Sequence, residues 1–183
     1  LKPTRMAPGR SAQIKEICTP EEKAELWSIT GSLMWITRMA RPGLAYRTNK
    51  LQTACRKPYV EDVNIANKVV KYAVDTASEG LWFRPGLLWP SKPGDKMQLV
   101  MAPISDASHG NEEVYIDEWE EREPFRSQGA KLVCLASPDI WEKEQCMVHV
   151  LSFSSTIVSR VVTSTMKAET YQLAAVVESS DLI

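Results

Sequence analysis

Two rhythms divide the chain. Up to about residue 76 the apolar residues recur three and four apart, as on one face of a helix, and beyond residue 96 they gather in short runs suited to strands. The first firm element opens at T-P-E-E. There Thr19 as N-cap, Pro20 at the first helical position and Glu22 three residues after the cap make a capping box. Leu26, Ile29, Leu33 and Ile36 follow as one apolar stripe until Arg41-Pro42-Gly43 breaks it. A second helical segment is predicted over about 44–55, with Leu44, Leu51 and Cys55 on one face, stopping near Lys57 and Pro58. The third, over about 61–76, places Ala66, Val69, Val70 and Ala73 together. Ahead of them, residues 2–16 are polar, contain Pro3, Pro8 and Gly9, and read as a connecting arm.

The stretch 84–96 holds three prolines and two glycines, so it reads as a linker, with Leu87, Leu88 and Trp89 tucked against a neighbouring domain. After it come three β-rich runs, 96–105, 131–137 and 147–153, separated by polar loops. The simple reading is an antiparallel three-strand meander that feeds a helix. Pro103 predicts a bulge or a missing ladder bond just ahead of Asp106, which then falls at a strand end. From 154 onward a β-branched run, 157–162, gives way to a helical pattern over 166–177, with Thr163, Ser164 or Thr165 able to cap it. Glu169 falls in the first turn or so of that helix. The expected architecture is α+β: an arm over 1–18, a helical region over 19–84, a linker over 85–96 and a mixed domain over 97–183.

Charge refines this picture more than composition does. The net charge of 183 residues is only -1, yet residues 1–72 carry 13 Lys and Arg against 6 Asp and Glu, and the remaining 111 carry 9 against 17. A basic front half suits a phosphate-backbone partner, and equally suits solvated helix faces. The stretch 111–124 holds seven acids and one Arg, and reads as a solvated loop or short surface helix with Tyr115, Ile116 and Trp119 on one side. D-A-S-H-G-N lacks the glycine and closing glutamate of a calcium loop. Cys18, Cys55, Cys134 and Cys146 form no C-x-x-C pair and read as reduced, packed thiols. No apolar run is long enough for a membrane helix and no signal peptide is visible. With Leu1 rather than Met in first place, the expectation is a piece of a longer translated frame. That frame is read as intracellular, in the cytoplasm or nucleus.

Two acids stand out as candidate ligands, Asp106 after the first β-rich run and Glu169 at the start of the last helix. Each also has an ordinary role, Asp106 as a turn former and Glu169 as a first-turn acid favoured by the helix dipole. His109 and His149 read as surface or strand histidines. Ser154, Ser155 and Ser164 have no His and Asp partners in a recognisable arrangement, which sets serine hydrolase chemistry aside.

Several segments share a likeness. I-S-D-A-S-H-G around Asp106 resembles the Y-S-D-A-D-W-A-G segment of copia-type retrotransposon ribonuclease H domains. F-R-S-Q-G-A-K-L-V-C-L-A-S from Phe125 is similar to their R-R-S-T-x-G-Y-V-F strand, and L-S-F-S-S from Leu151 to I-S-W-S-S. T-S-T-M-K-A-E-T-Y from Thr163 is similar to S-S-T-E-A-E-Y. In the helical region, T-G-S-L-M-W-I-T-R-M-A-R-P-G-L-A-Y and K-V-V-K-Y-A-V-D-T resemble the part of copia-type Pol polyproteins between polymerase palm and ribonuclease H. The likeness spans about 19–183. Gly43 stands where the family usually has Asp, and His109 near where it has Asp and Trp.

What the resemblance implies is a thumb or connection-like helical region followed by a partial ribonuclease H-like fold. The implied activity is endonucleolytic hydrolysis of the RNA strand of an RNA/DNA hybrid, with Mg2+ as cofactor and the rest of the Pol polyprotein as partner. Asp106 would be the strand carboxylate on the metals and Glu169 the helix carboxylate facing it. Two-metal phosphodiester hydrolysis needs several carboxylates, and magnesium suits an oxygen ligand set. The family's third carboxylate lies on a strand after this helix, beyond Ile183. Asp181 cannot replace it, since it lies about 18 Å along the axis from Glu169. No paired-aspartate polymerase turn occurs in the sequence, so reverse transcription belongs only to the parent polyprotein. Competing readings are a catalytically inactive nucleic-acid-binding remnant, and a host protein that uses the helical half for protein contacts.

Overall fold

The computed structural model describes residues 1–88, 94, 96, 98–110, 112–115, 122–160 and 162–181. It divides into two compact units, Leu1–Gly80 with Glu113–Pro124, and Leu81–Glu112 with Phe125–Ile183.

Three helices build the first unit: α1, Pro20–Ala40; α2, Ala45–Ala54; and α3, Val60–Asp75. The cap of α1 is the one predicted from the sequence. Glu22 N donates to Thr19 Oγ1 at 3.3 Å, and Thr19 N donates to Glu22 Oε2 at 2.9 Å. These bonds satisfy two donors that a helix start leaves open. Leu26, Ile29 and Leu33 of α1 pack with Leu44, Leu51, Val63, Ala66, Val69, Val70 and Ala73 in one buried cluster, and Ile36 is half-buried against it. Burying a leucine or valine stabilises by about 1.5–3 kcal/mol, so this cluster is the main source of the unit's stability. The break at Pro42 becomes a short 3-10 turn, Pro42–Leu44, that lets the chain reverse into α2. Arg41 is buried there. Its Nη2 donates to Thr76 Oγ1 at 2.6 Å, which ties the end of α1 to the end of α3.

The stretch expected to be a connecting arm is built into this unit. Thr4 and Asn67 exchange two hydrogen bonds, at 2.8 and 3.0 Å, and Asn64 Nδ2 donates to Ser11 O at 2.9 Å. The Arg10 guanidinium donates to both carboxylate oxygens of Glu22, at 2.9 and 3.0 Å, and also to Glu16 and to Ile17 O. Ile17 then bridges to Tyr59. Periodicity gives no sign of this because the contacts are polar and mostly reach residues far along the chain, not an apolar stripe.

The second unit holds β1, Val100–Ala107; β4, Gln128–Ala136; β5, Val148–Ile157; and helix α4, Thr165–Ser180. The three strands form an antiparallel sheet in the order β1-β4-β5, so the α+β class and the three-strand sheet ahead of a helix stand. Between β1 and β4 the chain makes a two-stranded hairpin, β2 (Glu112–Tyr115) with β3 (Arg122–Arg126), where a loop or short helix was expected. A run of acids does not forbid strands, because alternate residues of a strand can all face solvent. Ile116 and Trp119 lie outside the described residues, as does Trp89 of the linker; Leu87 and Leu88 are half-buried.

Pro103 does not interrupt the sheet. The β1–β4 register runs unbroken from Val100↔Ala136 to Ala107↔Gly129 through Pro103↔Val133. The single register shift lies in the β4–β5 pairing, between Val133 and Cys134. A proline is tolerated here because β1 is an edge strand, paired only with β4 among the described residues.

Helix α4 is capped by Ser164, whose hydroxyl accepts from Lys167 N at 3.3 Å, and it lies over β1 and β4. Ala107, Val162 and Ala168 form a buried contact at its start. Further along, a side chain at Gly129 would run into the amide of the buried Gln172, and Lys131 Nζ donates to Ser179 Oγ at 2.6 Å. Ala107, Gly129 and Lys131 therefore mark the face of the sheet that the helix covers.

Two outcomes follow from these contacts. Gly129→Ala is expected to destabilise by about 1–3 kcal/mol in urea unfolding, with most of the loss recovered when Gln172→Ala is added. The second concerns pH. The Arg10 guanidinium holds the Glu22 carboxyl below its ordinary value of about 4.5. A carboxyl depressed in the folded state contributes stability above its ordinary value and loses it as pH falls through the folded one. The unfolding midpoint should drop as pH is lowered below about 4.5, and Glu22→Gln should make that drop smaller.

Candidate functional site

The candidate site sits where β1 meets the start of α4. Asp106 lies inside β1, opposite Ala130 of β4, and both are exposed. It was expected at a strand end behind a bulge; the regular ladder instead carries it one residue further, to Ala107. Glu169 is the fifth residue of α4 and is exposed.

Each acid adjoins a buried alanine. Ala107 follows Asp106, Ala168 precedes Glu169, and these two alanines pack together with Val162. Small side chains let strand and helix approach closely, so the backbone at 106 and at 169 is brought to the same end of the β1–α4 contact. The side chains are arranged differently. Successive residues of a strand point to opposite faces, so with Ala107 turned toward α4, Asp106 is turned to the other face of the sheet. On α4 the buried positions are Ala168, Gln172 and Val176, and Glu169 stands on their flank. The structure thus brings the two segments together and does not set both carboxylates on one face. β1 is the sheet edge, and among the described residues no further strand walls off the space beside Asp106.

Neither carboxylate has a hydrogen-bond or ion-pair partner among the described residues, and no group of three or more His, Cys, Asp and Glu there could hold a metal ion. Magnesium prefers a near-octahedral oxygen set and keeps several of its waters. Asp106, turned to the face of the sheet away from α4, and Glu169, on the flank of α4, do not make such a set together.

The neighbouring polar residues have structural work. His109, half-buried, sets Nε2 at 3.1 Å from Val162 O and so ties the turn after β1 to the lead-in of α4. Ser108 N donates to Gln128 O at 2.9 Å, which closes the same turn on β4. Ser154 lies in register with Lys131 and its buried Oγ has no partner among the described residues; Ser155 Oγ accepts from Gln128 Nε2 at 2.8 Å. His149 packs its ring against Phe83 with centroids 5.9 Å apart. All four cysteines are free; Cys134 is fully buried, and burial pushes its thiol pKa up. The residues that sequence reasoning passed over are Ala107, Ala168 and Gly129, whose signal is only that they are small beside the acids and on the paired strand.

Comparison of the chain with family models, curated proteins and solved structures finds no match. No helix among the described residues is long and apolar enough to cross a membrane.

Exposed acids without partners contribute little to folding. Asp106→Asn and Glu169→Gln are each expected to change stability by less than about 0.5 kcal/mol. Urea unfolding checks this, and a loss of several times that size would mean the acid serves the fold instead of standing open for a ligand.

Proposed function

We propose that residues 97–183 are the opening part of a ribonuclease H-like nuclease within a copia-type Pol polyprotein, acting on the RNA strand of an RNA/DNA hybrid. The observation that carries this reading is the Ala107–Ala168 contact, which brings S-D-A of the first strand and A-E of the helix to one place in the fold. The order of elements supports it: a strand, a hairpin excursion, two antiparallel strands and a helix laid back over the first two strands. Among the described residues β1 pairs only with β4, and its other edge offers a pairing site for the strand after the helix on which the resemblance puts a third carboxylate.

In this reading Asp106 and Glu169 donate carboxylate oxygens, and neither is first neutralised by a cationic side chain. They are the residues that would hold magnesium, whose chemistry when bound is Lewis-acid activation of water and phosphate, and as placed, on different faces, they do not hold one ion jointly. Ala107, Ala168 and the His109–Val162 contact hold the two acid-bearing segments in position. A second reading has its own observation in favour. Alternation along β1 turns Asp106 away from the face covered by α4, which suits an inactive nucleic-acid-binding remnant of the same element.

A labelled RNA/DNA hybrid separates the two when it is offered to this chain and to a chain extended through the following reading frame. The nuclease reading expects magnesium-dependent cleavage of the RNA strand by the extended chain, reduced about 100-fold or more by Asp106→Asn or Glu169→Gln. Steeply salt-dependent binding with no cleavage leaves the remnant. If neither binding nor cleavage is found, both readings fail and the helical half as a protein-contact surface takes their place.

A further inference from the structure

Helix α1 buries one side in the apolar cluster of the first unit and leaves the other side bare. On the bare side Trp27, Gly31, Trp35 and Met39 follow one another four residues apart and so form a single row along the helix. All four are exposed, the tryptophans at 56% and 67% and Met39 at 61%. From Trp27 to Thr37, about three turns, the chain holds no charged residue, whereas Glu21, Glu22, Lys23 and Glu25 precede this stretch and Arg38 follows it. A surface helix ordinarily turns a charged or polar face to water. Trp27 is also held in place: its indole N–H donates to Cys55 O at 2.9 Å, and Lys23 Nζ lies 5.6 Å from its ring centre.

Gly31 is a second, separate observation. Glycine weakens the middle of a helix relative to alanine, and nothing inside the chain asks for it, since a side chain there would meet no atom within 4 Å. A glycine notch between two tryptophans suits the close approach of another backbone from outside.

We propose that the bare face of α1 is the contact surface of a two-fold dimer of this chain, with two α1 helices crossing antiparallel at Gly31. The row reads alike in both directions, with tryptophan four residues before the glycine and four residues after it. A two-fold axis at Gly31 therefore sets Trp27 of one copy beside Trp35 of the other, twice over, as an isologous interface requires. Rows of residues four apart are also the ridges of the commonest helix crossing. Antiparallel order brings Arg38 of one copy level with the acidic first turns of the other, Glu21 and Glu25, whereas parallel order would set like ends together. An aromatic side chain buries roughly 150–250 Å2 when fully covered. Two tryptophans and a methionine, each more than half exposed, thus give on the order of 1,000 Å2 over both copies, the size of a weak, reversible pairing. The inference stands apart from the nuclease reading and uses none of its residues.

The test is sedimentation equilibrium of the full chain with its thiols kept reduced. The mass is expected to rise with concentration from 20.6 kDa towards twice that value, with half-dimerisation on the order of 10–100 μM. Trp35→Glu should weaken the pairing about ten-fold or more. Gly31→Leu should weaken it as much, although it makes the face more apolar and favours the helix. Both positions are exposed, and thermal melts of the two variants at low concentration should match or exceed that of the unaltered chain. A monomer at every concentration would overturn the inference, as would pairing that survives both substitutions. Association strengthened by Gly31→Leu would also overturn it, by showing general stickiness in place of a fitted crossing. A monomer whose tryptophan emission shifts to the blue on phosphatidylcholine vesicles, and does not in Trp35→Glu, would assign the face to lipid and overturn it too. A dimer lost in both variants upholds it, whether or not the chain cleaves a hybrid.

Discussion

Helix α4 meets its sheet at residues with almost no side chain, and the geometry of the second unit follows from that closeness. Ala107 and Ala168 pack at the start of the helix, and one turn on from Ala168 Gln172 occupies the space that any side chain at Gly129 would need. The distance between packed elements is set by the side chains at the contact. Larger residues at 107, 129 or 168 would lift the helix and carry Glu169 away from β1. Polar ties then fix the helix along its length: His109 to Val162 O before its first turn, Lys131 to Ser179 in its last. A candidate site made of one strand residue and one helix residue has meaning only while that separation is held. The small residues beside the acids are thus as much part of the arrangement as the acids.

The first unit is closed by a different device. Its apolar cluster is continuous, but the ends of its elements are secured by two arginines. Arg10 joins the N-terminal stretch to the capping box of α1, and Arg41 joins the C-terminal end of α1 to that of α3. A charged hydrogen bond is worth more than a neutral one, and removing one partner leaves the other desolvated. The two helix ends are thereby held against fraying, where helices are weakest.

How much of this was legible depends on whether the cause was local. The cap at Thr19, the break at Pro42 and the apolar stripes of α1 and α3 are consequences of nearby residues, and each is found where the chain announces it. Strand limits are set by pairing partners far away. β4 begins at Gln128, ahead of the run that reads as a strand, because Gly129 and Ala130 pair with Ala107 and Asp106 although neither favours strands by itself. That pairing draws Asp106 into the ladder. The face it occupies is a matter of register, and a slip of one residue would reverse it. Residue types could point to the two acids, and only the pairing could say which way Asp106 is turned. The contacts of the polar stretch before α1 are not legible for a related reason: its partners, Asn64 and Asn67, lie on a helix more than fifty residues on.

Charge counted along the chain and charge gathered in space are also different quantities here. Leu1–Gly80 carries 13 Lys and Arg against 8 Asp and Glu, but the compact unit to which it belongs also takes in Glu113–Pro124, with six acids and one Arg. Formally the first unit is neutral, so its net charge gives no reason to bind a polyanion. What acts on a phosphate is the charge within a screening length, about 8–10 Å at physiological salt. On that scale composition gives way to placement. α2 itself carries no acid, and Arg47 lies over Tyr72 of α3, 4.3 Å from the ring centre.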